Sequence, residues 1–146
     1  MDLSSAATDL KQDEGCRLSA YPDPLSGGEP WTIGYGCTGP DIHEGTVWTQ
    51  AQADAALLSR IAALTTELGH ALPWFAALSE PRRSVLINMA YNLGLAGLLA
   101  FHATLSAMAQ GKFEAAARMM LDSRWARQVP GRAARLALMM RTGARS

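Results

Sequence analysis

The sequence predicts an α+β fold, mostly helical, with a small N-terminal β-hairpin followed by a larger helical part. Three observations predict its secondary structure. An apolar stripe at helical spacing opens the chain. A Pro- and Gly-rich stretch with alternating apolar residues follows it. From Thr49 onward helical periodicity runs almost to the end. The 146 residues are the size of one domain.

Residues 3–14 read as the first helix, since Leu3, Ala7, Leu10 and Glu14 fall on one stripe. Ser4 or Ser5 is a candidate cap and Gly15 a candidate stop. Pro22, Pro24 and Pro30, with Gly27 and Gly28, exclude a helix in the next stretch. Trp31, Ile33 and Tyr35 alternate with Thr32 and Gly34, which predicts a strand of a small hairpin. An irregular stretch then leads to Trp48. Thr49 and Gln52 fit a capping box, and Leu57, Ile61, Leu64 and Leu68 continue a long helix that Gly69 ends.

Ser79 is a candidate cap for the next helix, with Pro81 in its first turn. Val85, Leu86, Met89, Ala90 and Leu93 form its apolar face, and Gly94 stops it. Shorter helices are expected near residues 95–110 and 113–121, with Gly111 between them. Pro130 opens a last helix that reaches about Arg141, before Gly143.

Apolar residues make up 49 % and charged residues 18 %, a globular balance. No apolar run approaches the roughly 20 residues a bilayer requires, and no secretory signal is visible at the N-terminus. Cys16 and Cys37 are too few for a disulfide scaffold and are expected as free thiols. His43, His70 and His102 lack metal-ligand spacing, so neither metal nor cofactor is expected. Met119-Met120 and Met139-Met140 are expected in the core. A net charge of zero conceals an asymmetry. Residues 1–73 hold three bases and ten acids, and residues 74–146 hold ten bases and three acids. Two sub-structures meeting at a cleft, a basic face for an anionic polymer, or two solvated halves would each produce it. The bases are scattered among helices, without interleaved aromatics, so no nucleic-acid partner is expected.

Glu14, Asp23 and Thr32 carry the candidate chemistry. Glu14 is on the apolar stripe at the C-terminal, negative end of its helix, where an ionised carboxylate is disfavoured. That suits a proton donor. Asp23 follows the first extended stretch, and Thr32 is on the glycine-bearing face of the strand, where a ligand could approach the backbone. An acid, a carboxylate and a hydroxyl on one groove suit glycoside hydrolysis. From spacing alone, Glu14 as a frayed helix end and Asp23 as a turn residue is the reading to be displaced.

Three blocks add context. The first is Asp13-Glu14-Gly15-Cys16-Arg17-Leu18, then Tyr21-Pro22-Asp23, then Trp31-Thr32-Ile33-Gly34-Tyr35-Gly36. The second is Arg82-Arg83-Ser84-Val85-Leu86-Ile87-Asn88-Met89-Ala90-Tyr91-Asn92-Leu93-Gly94. The third is Ser123-Arg124-Trp125-Ala126-Arg127-Gln128-Val129-Pro130, then Arg132, Arg135 and Arg141-Thr142-Gly143. In this order, over nearly the whole chain, they resemble the phage lysozyme (muramidase) family of glycoside hydrolases.

The resemblance implies one lysozyme domain over residues 1–146, with the lysozyme-like fold of a small N-terminal β-hairpin lobe and a larger helical lobe flanking a cleft. Its hairpin lobe would cover about 15–48 and its linking helix about 49–69. The helical lobe would cover about 70–146 and take in helix 3–14. Glu14 matches the family's general acid, and Asp23 and Thr32 match residues that position the attacking water. The implied substrate is bacterial peptidoglycan, cut between N-acetylmuramic acid and N-acetylglucosamine with inversion. Arg132 matches an arginine that pairs with the catalytic Glu. Tyr91, Asn92 and Thr104 match cleft-lining positions, and Phe101 would pack beneath them. The implied protein is a monomeric endolysin without a membrane anchor. It would be held in the host cytoplasm until a holin pore gives access to the wall. A lytic transglycosylase and a non-catalytic peptidoglycan-binding module are the alternatives. The sequence departs from the family pattern in a longer Pro24–Trp31 stretch, in Cys37 where many members have His, and in a short tail after Gly143.

Overall fold

The computed structural model describes residues 1–145. The chain forms two compact units, Met1–Ala63 and Leu64–Ser146.

In the first unit, helix α1 spans Ser4–Glu14 and buries Ala6, Ala7 and Leu10. Its cap differs from expectation. Leu3 occupies the N-cap position, and neither serine caps the helix by its side chain. Asp2 does that work from one residue further out, its Oδ1 accepting the Ser4 N–H at 2.9 Å. Gly15 ends the helix at φ 65°, its N–H bonded to the Lys11 carbonyl. Strands β1 (Arg17–Tyr21) and β2 (Thr32–Gly34) form an antiparallel pair. The stretch before Trp48 is more ordered than its sequence implies. Ser19 bridges to Val47, Ala20 N–H bonds to the Thr46 carbonyl, and Trp48 N–H bonds to the Leu18 carbonyl. Neither face of this segment is apolar enough to announce a strand.

Helix α2 (Gln50–Ala71) begins in this unit and ends in the next. Its capping box is reciprocal: Thr49 Oγ1 accepts the Gln52 N–H at 3.1 Å, and Gln52 Oε1 accepts the Thr49 N–H at 2.8 Å. Leu57, Ile61, Leu64 and Leu68 are fully buried, as their spacing predicts. The helix continues past Gly69 to Ala71, since an isolated glycine costs only about 1 kcal/mol in a helix.

The second unit contains the 3₁₀ turn Phe75–Ala77 and helices α3 (Glu80–Leu93), α4 (Leu95–Leu99), α5 (His102–Ala109), α6 (Phe113–Leu121), α7 (Arg124–Gln128) and α8 (Pro130–Thr142). Ser79 caps α3 by accepting the Arg82 N–H, with Pro81 in the first turn. Every residue from Ser84 to Ala90 is buried, so α3 has no solvent-exposed face along its middle. This exceeds the one-sided stripe its periodicity suggests and marks a central helix. The short helix α7 gave no periodic signal; Ser123 caps it by accepting the Ala126 N–H at 3.1 Å. Met120, Met139 and Met140 are in the core, but Met119 is 39 % exposed. Met119 therefore does not fill the core as expected. It sits one position round the helix from Met120, on the outer face. The last helix is closed by Arg82, whose Nε donates to the Met140 carbonyl at 2.7 Å and Nη2 to the Arg141 carbonyl at 3.0 Å.

Candidate active site

In the first unit, three sequence-predicted residues lie on α1 and the hairpin. Glu14 is the last residue of α1 and is half-buried. Gly15 can take the positive φ that turns the chain out of the helix at this point. Opposite Glu14 is a tight turn, closed by two backbone bonds between Ile33 and Cys37 at 2.9 and 2.8 Å. Its Gly34 and Gly36 both have positive φ, at 66° and 86°. A methyl group on Gly36 would sit 3.7 Å from Glu14 Oε2, so the bare backbone of the turn faces the carboxylate. Glu14 is thus the last residue of α1, beside the bare backbone of Gly36.

The register of the hairpin brings its loop end toward this turn. Arg17 pairs with Gly34 and Tyr21 with Thr32, so four steps of β1 match two of β2. The irregularity shortens a span of about 13 Å to about 7 Å at ~3.3 Å per residue. Asp23, two residues beyond Tyr21, is half-buried. Its Oδ2 accepts the N–H groups of Leu25 and Ser26 at 3.1 and 3.0 Å. Its backbone exchanges hydrogen bonds with Gly27 and Gly28. Asp23 is thus a turn residue, as one reading of the sequence allowed. Its turn uses Oδ2, a geometry that also fixes where Oδ1 lies. Thr32 opens β2 and is half-buried.

A polar cluster behind the turn was not anticipated. Tyr35, 5 % exposed, donates its hydroxyl proton to Asp54 Oδ1 at 2.9 Å. Gln50 Nε2 donates to the Tyr35 oxygen at 3.0 Å and to Asp54 Oδ1 at 2.9 Å. Lys11 Nζ is 3.5 Å from the same oxygen. Gln50 and Tyr35 together hold the Asp54 carboxyl below the usual carboxylate range. Burial, then Asp54, pushes the Tyr35 hydroxyl up to about 12. The sequence signal, had it been read, was a tyrosine between two glycines. Asp54 and Gln50 carry none, being polar residues on a long helix.

In the second unit, a groove of about 810 Å³ is lined by Phe101, His102, Thr104, Met119 and Trp125, among others. Trp125 is 3 % exposed and donates its indole N–H to Asn92 Oδ1 at 2.7 Å. Phe101 meets Trp125 edge to face, with ring centroids 6.4 Å apart. Phe101 is among the residues that line this groove. Thr104 is buried on α5, and Tyr91 is half-buried near the end of α3. Arg132, in the first turn of α8, donates from Nε to Asn88 Oδ1 at 2.8 Å. Aromatic walls with a few polar groups suit a sugar or peptide ligand. Among the described residues, no group of three His, Cys, Asp or Glu is placed to hold a metal ion. Cys16 and Cys37 are unbridged thiols, both half-buried.

Comparison with known proteins matches the sequence to a family. The model of the phage lysozyme family matches residues 11–144. The pre-baseplate central spike protein Gp5 of Enterobacteria phage T4 is 30 % identical over 95 % of this chain and 28 % of its own length. The endolysins of Lactococcus phages c2 and phivML3 are each 50 % identical over 33 % of this chain and 20 % of their own length. The chain thus spans under a third of the length of these relatives. The family match covers both the Glu14–Gly36 arrangement and the Trp125 groove, and the chain belongs to the phage lysozyme family.

Proposed function

We propose that this chain is a muramidase that hydrolyses the β-1,4 bond between N-acetylmuramic acid and N-acetylglucosamine in peptidoglycan. Glu14, held at the end of α1 against the bare backbone of Gly36, is the observation that carries this reading. Glu14 protonates the glycosidic oxygen as the bond breaks. Asp23 and Thr32 orient a water molecule that attacks the anomeric carbon from the opposite side, with inversion. Arg132 supports the reaction as a fixed cation. Tyr91, Asn92 and Thr104 contribute contacts to the glycan or its peptide, with Phe101 and Trp125 as the apolar surface. One copy of the chain suffices for this chemistry.

The reaction class is tested on purified peptidoglycan, by mass and anomer analysis of the fragments. Hydrated reducing ends of inverted configuration are expected. Anhydro ends would move the chain to lytic transglycosylase chemistry, and folded protein without turnover to a binding module.

The setting of the activity has two readings. The endolysin relatives suggest release from the host cytoplasm through a holin pore, in the service of lysis. Among the described residues, no helix is long and apolar enough to cross a membrane. The spike protein aligns with far more of the chain, 95 % against 33 %, and favours carriage on a phage particle. Immunodetection in purified particles and in the lysing cell separates the two.

A further inference from the structure

Three consecutive residues of the turn facing Glu14 are fixed by three different neighbours. Gly34 lies against Trp48, where an added Cβ would be 2.8 Å from the ring. Tyr35 inserts between Gln50 and Asp54 of α2. Gly36 faces the Glu14 carboxylate. The turn's register against Glu14 therefore depends on what holds Tyr35.

Asp54 is the centre of that hold. Its Oδ1 accepts from Tyr35 and Gln50, both at 2.9 Å, and pairs with Lys11 at 3.5 Å. Lys11 precedes Glu14 by three residues on α1, close to one helical turn. Its ammonium is also 6.0 Å from the Tyr35 ring centroid. Gln50 Nε2 further reaches Cys16 Sγ at 3.8 Å, just past the helix end. One carboxylate oxygen thus grips both the helix that carries the acid and the turn that faces it.

We propose that Tyr35 and Asp54 are positioning residues for the glycosidase reaction: they hold the Gly36 backbone and the end of α1 in the register that fixes the Glu14 carboxyl. The inference rests on Glu14 being the proton donor. The physical need is plain: a misplacement of about 1 Å at a reacting group costs roughly a hundredfold in rate. A hydrogen-bonded support on rigid elements limits such drift.

The test is steady-state hydrolysis of soluble peptidoglycan fragments by the full chain and its variants. Tyr35→Phe keeps the buried ring and removes the hydroxyl. It is expected to lower kcat about tenfold, short of a full 1 Å misplacement, with KM unchanged and the fold retained by circular dichroism. Asp54→Ala is expected to act in the same direction. Asp54→Asn, which keeps an acceptor oxygen, is expected to recover most of that loss. The double variant Tyr35→Phe/Asp54→Ala should be no worse than Asp54→Ala alone, because both act through one contact. Should Asp54→Ala not fold, Tyr35→Phe and Asp54→Asn still decide the matter. Full kcat in Tyr35→Phe beside an inactive Glu14→Gln overturns this inference and leaves the reading of Glu14 standing. Full activity in Glu14→Gln overturns both.

Discussion

Gly36 and Glu14 face each other: a methyl added to the glycine would lie 3.7 Å from the carboxylate oxygen, in ordinary van der Waals contact. Two consequences meet at this glycine, since its φ of 86° is one that side-chain-bearing residues rarely adopt. Gly36→Ala is expected to cost about 1–3 kcal/mol of stability. As the turn relaxes from that strained φ it should shift against Glu14 and lower kcat at least about tenfold in the molecules that remain folded. Thermal melts and initial rates read the two effects separately. A variant that melts early but turns over normally would show that the contact only shapes the fold.

The Tyr35–Asp54 bond predicts an alkaline signature. In the folded chain the Tyr35 hydroxyl titrates at about 12, above its ordinary 10.0. Above pH 10 the unfolded chain has lost this proton while the folded chain keeps it. The stabilisation is therefore complete below about pH 10 and is lost as pH rises through about 12. Denaturant melts across that window should show a stability decline in the wild type that is shallower in Tyr35→Phe. Parallel declines would mean that Tyr35 titrates as in the unfolded chain.

The Asn92–Trp125 bond predicts a binding phenotype. Asn92→Ala leaves the indole N–H of a buried tryptophan without this acceptor, at a cost of about 1–2 kcal/mol. The ring, freed at one end, is expected to tilt into the groove and raise KM for peptidoglycan fragments about three- to tenfold, with kcat little changed. Asn92→Asp keeps the acceptor and should stay near the wild type. An unaltered KM in Asn92→Ala would remove Trp125 from the binding surface.

Arg82 supplies a prediction about stability alone. It caps two carbonyls at the end of α8 and stacks 3.5 Å from the Phe113 ring centroid. Gly143 is pressed against its guanidinium, where an added Cβ would be 2.9 Å from Cζ. Arg82→Met is expected to cost about 2–3 kcal/mol and lower the melting temperature by roughly 5–10 °C. Turnover per folded molecule should be retained. Calorimetry with a rate assay below the transition checks both parts.

Sequence reading reached furthest where the signal is local. The Thr49–Gln52 box, the Ser79 cap with Pro81 and the start of α8 at Pro130 are written in a few adjacent residues, and the structure has them. It reached less far where an outcome depends on distant partners. Asp2 displaced Ser4 and Ser5 as the α1 cap because its carboxylate happens to reach the Ser4 N–H. Val47 joined β1 through backbone bonds alone, for which no side-chain pattern is needed. At the candidate site, Glu14, Asp23 and Thr32 were visible because family context singled them out among many carboxylates and hydroxyls. Tyr35, Gln50 and Asp54 were not, since they meet only once α2 packs beside the turn. The groove formed by Phe101 and Trp125 was half legible: Phe101 stands out in the sequence, but its edge-to-face contact with Trp125 joins α7 to the turn before α5.

The most direct test of the account is the clearing of purified peptidoglycan by the wild type and by Glu14→Gln, both shown to be folded by circular dichroism. The account predicts clearing by the wild type, with hydrated reducing-end fragments by mass, and loss of clearing by the variant. Equal clearing by both would contradict it, because the proton donor would then lie elsewhere.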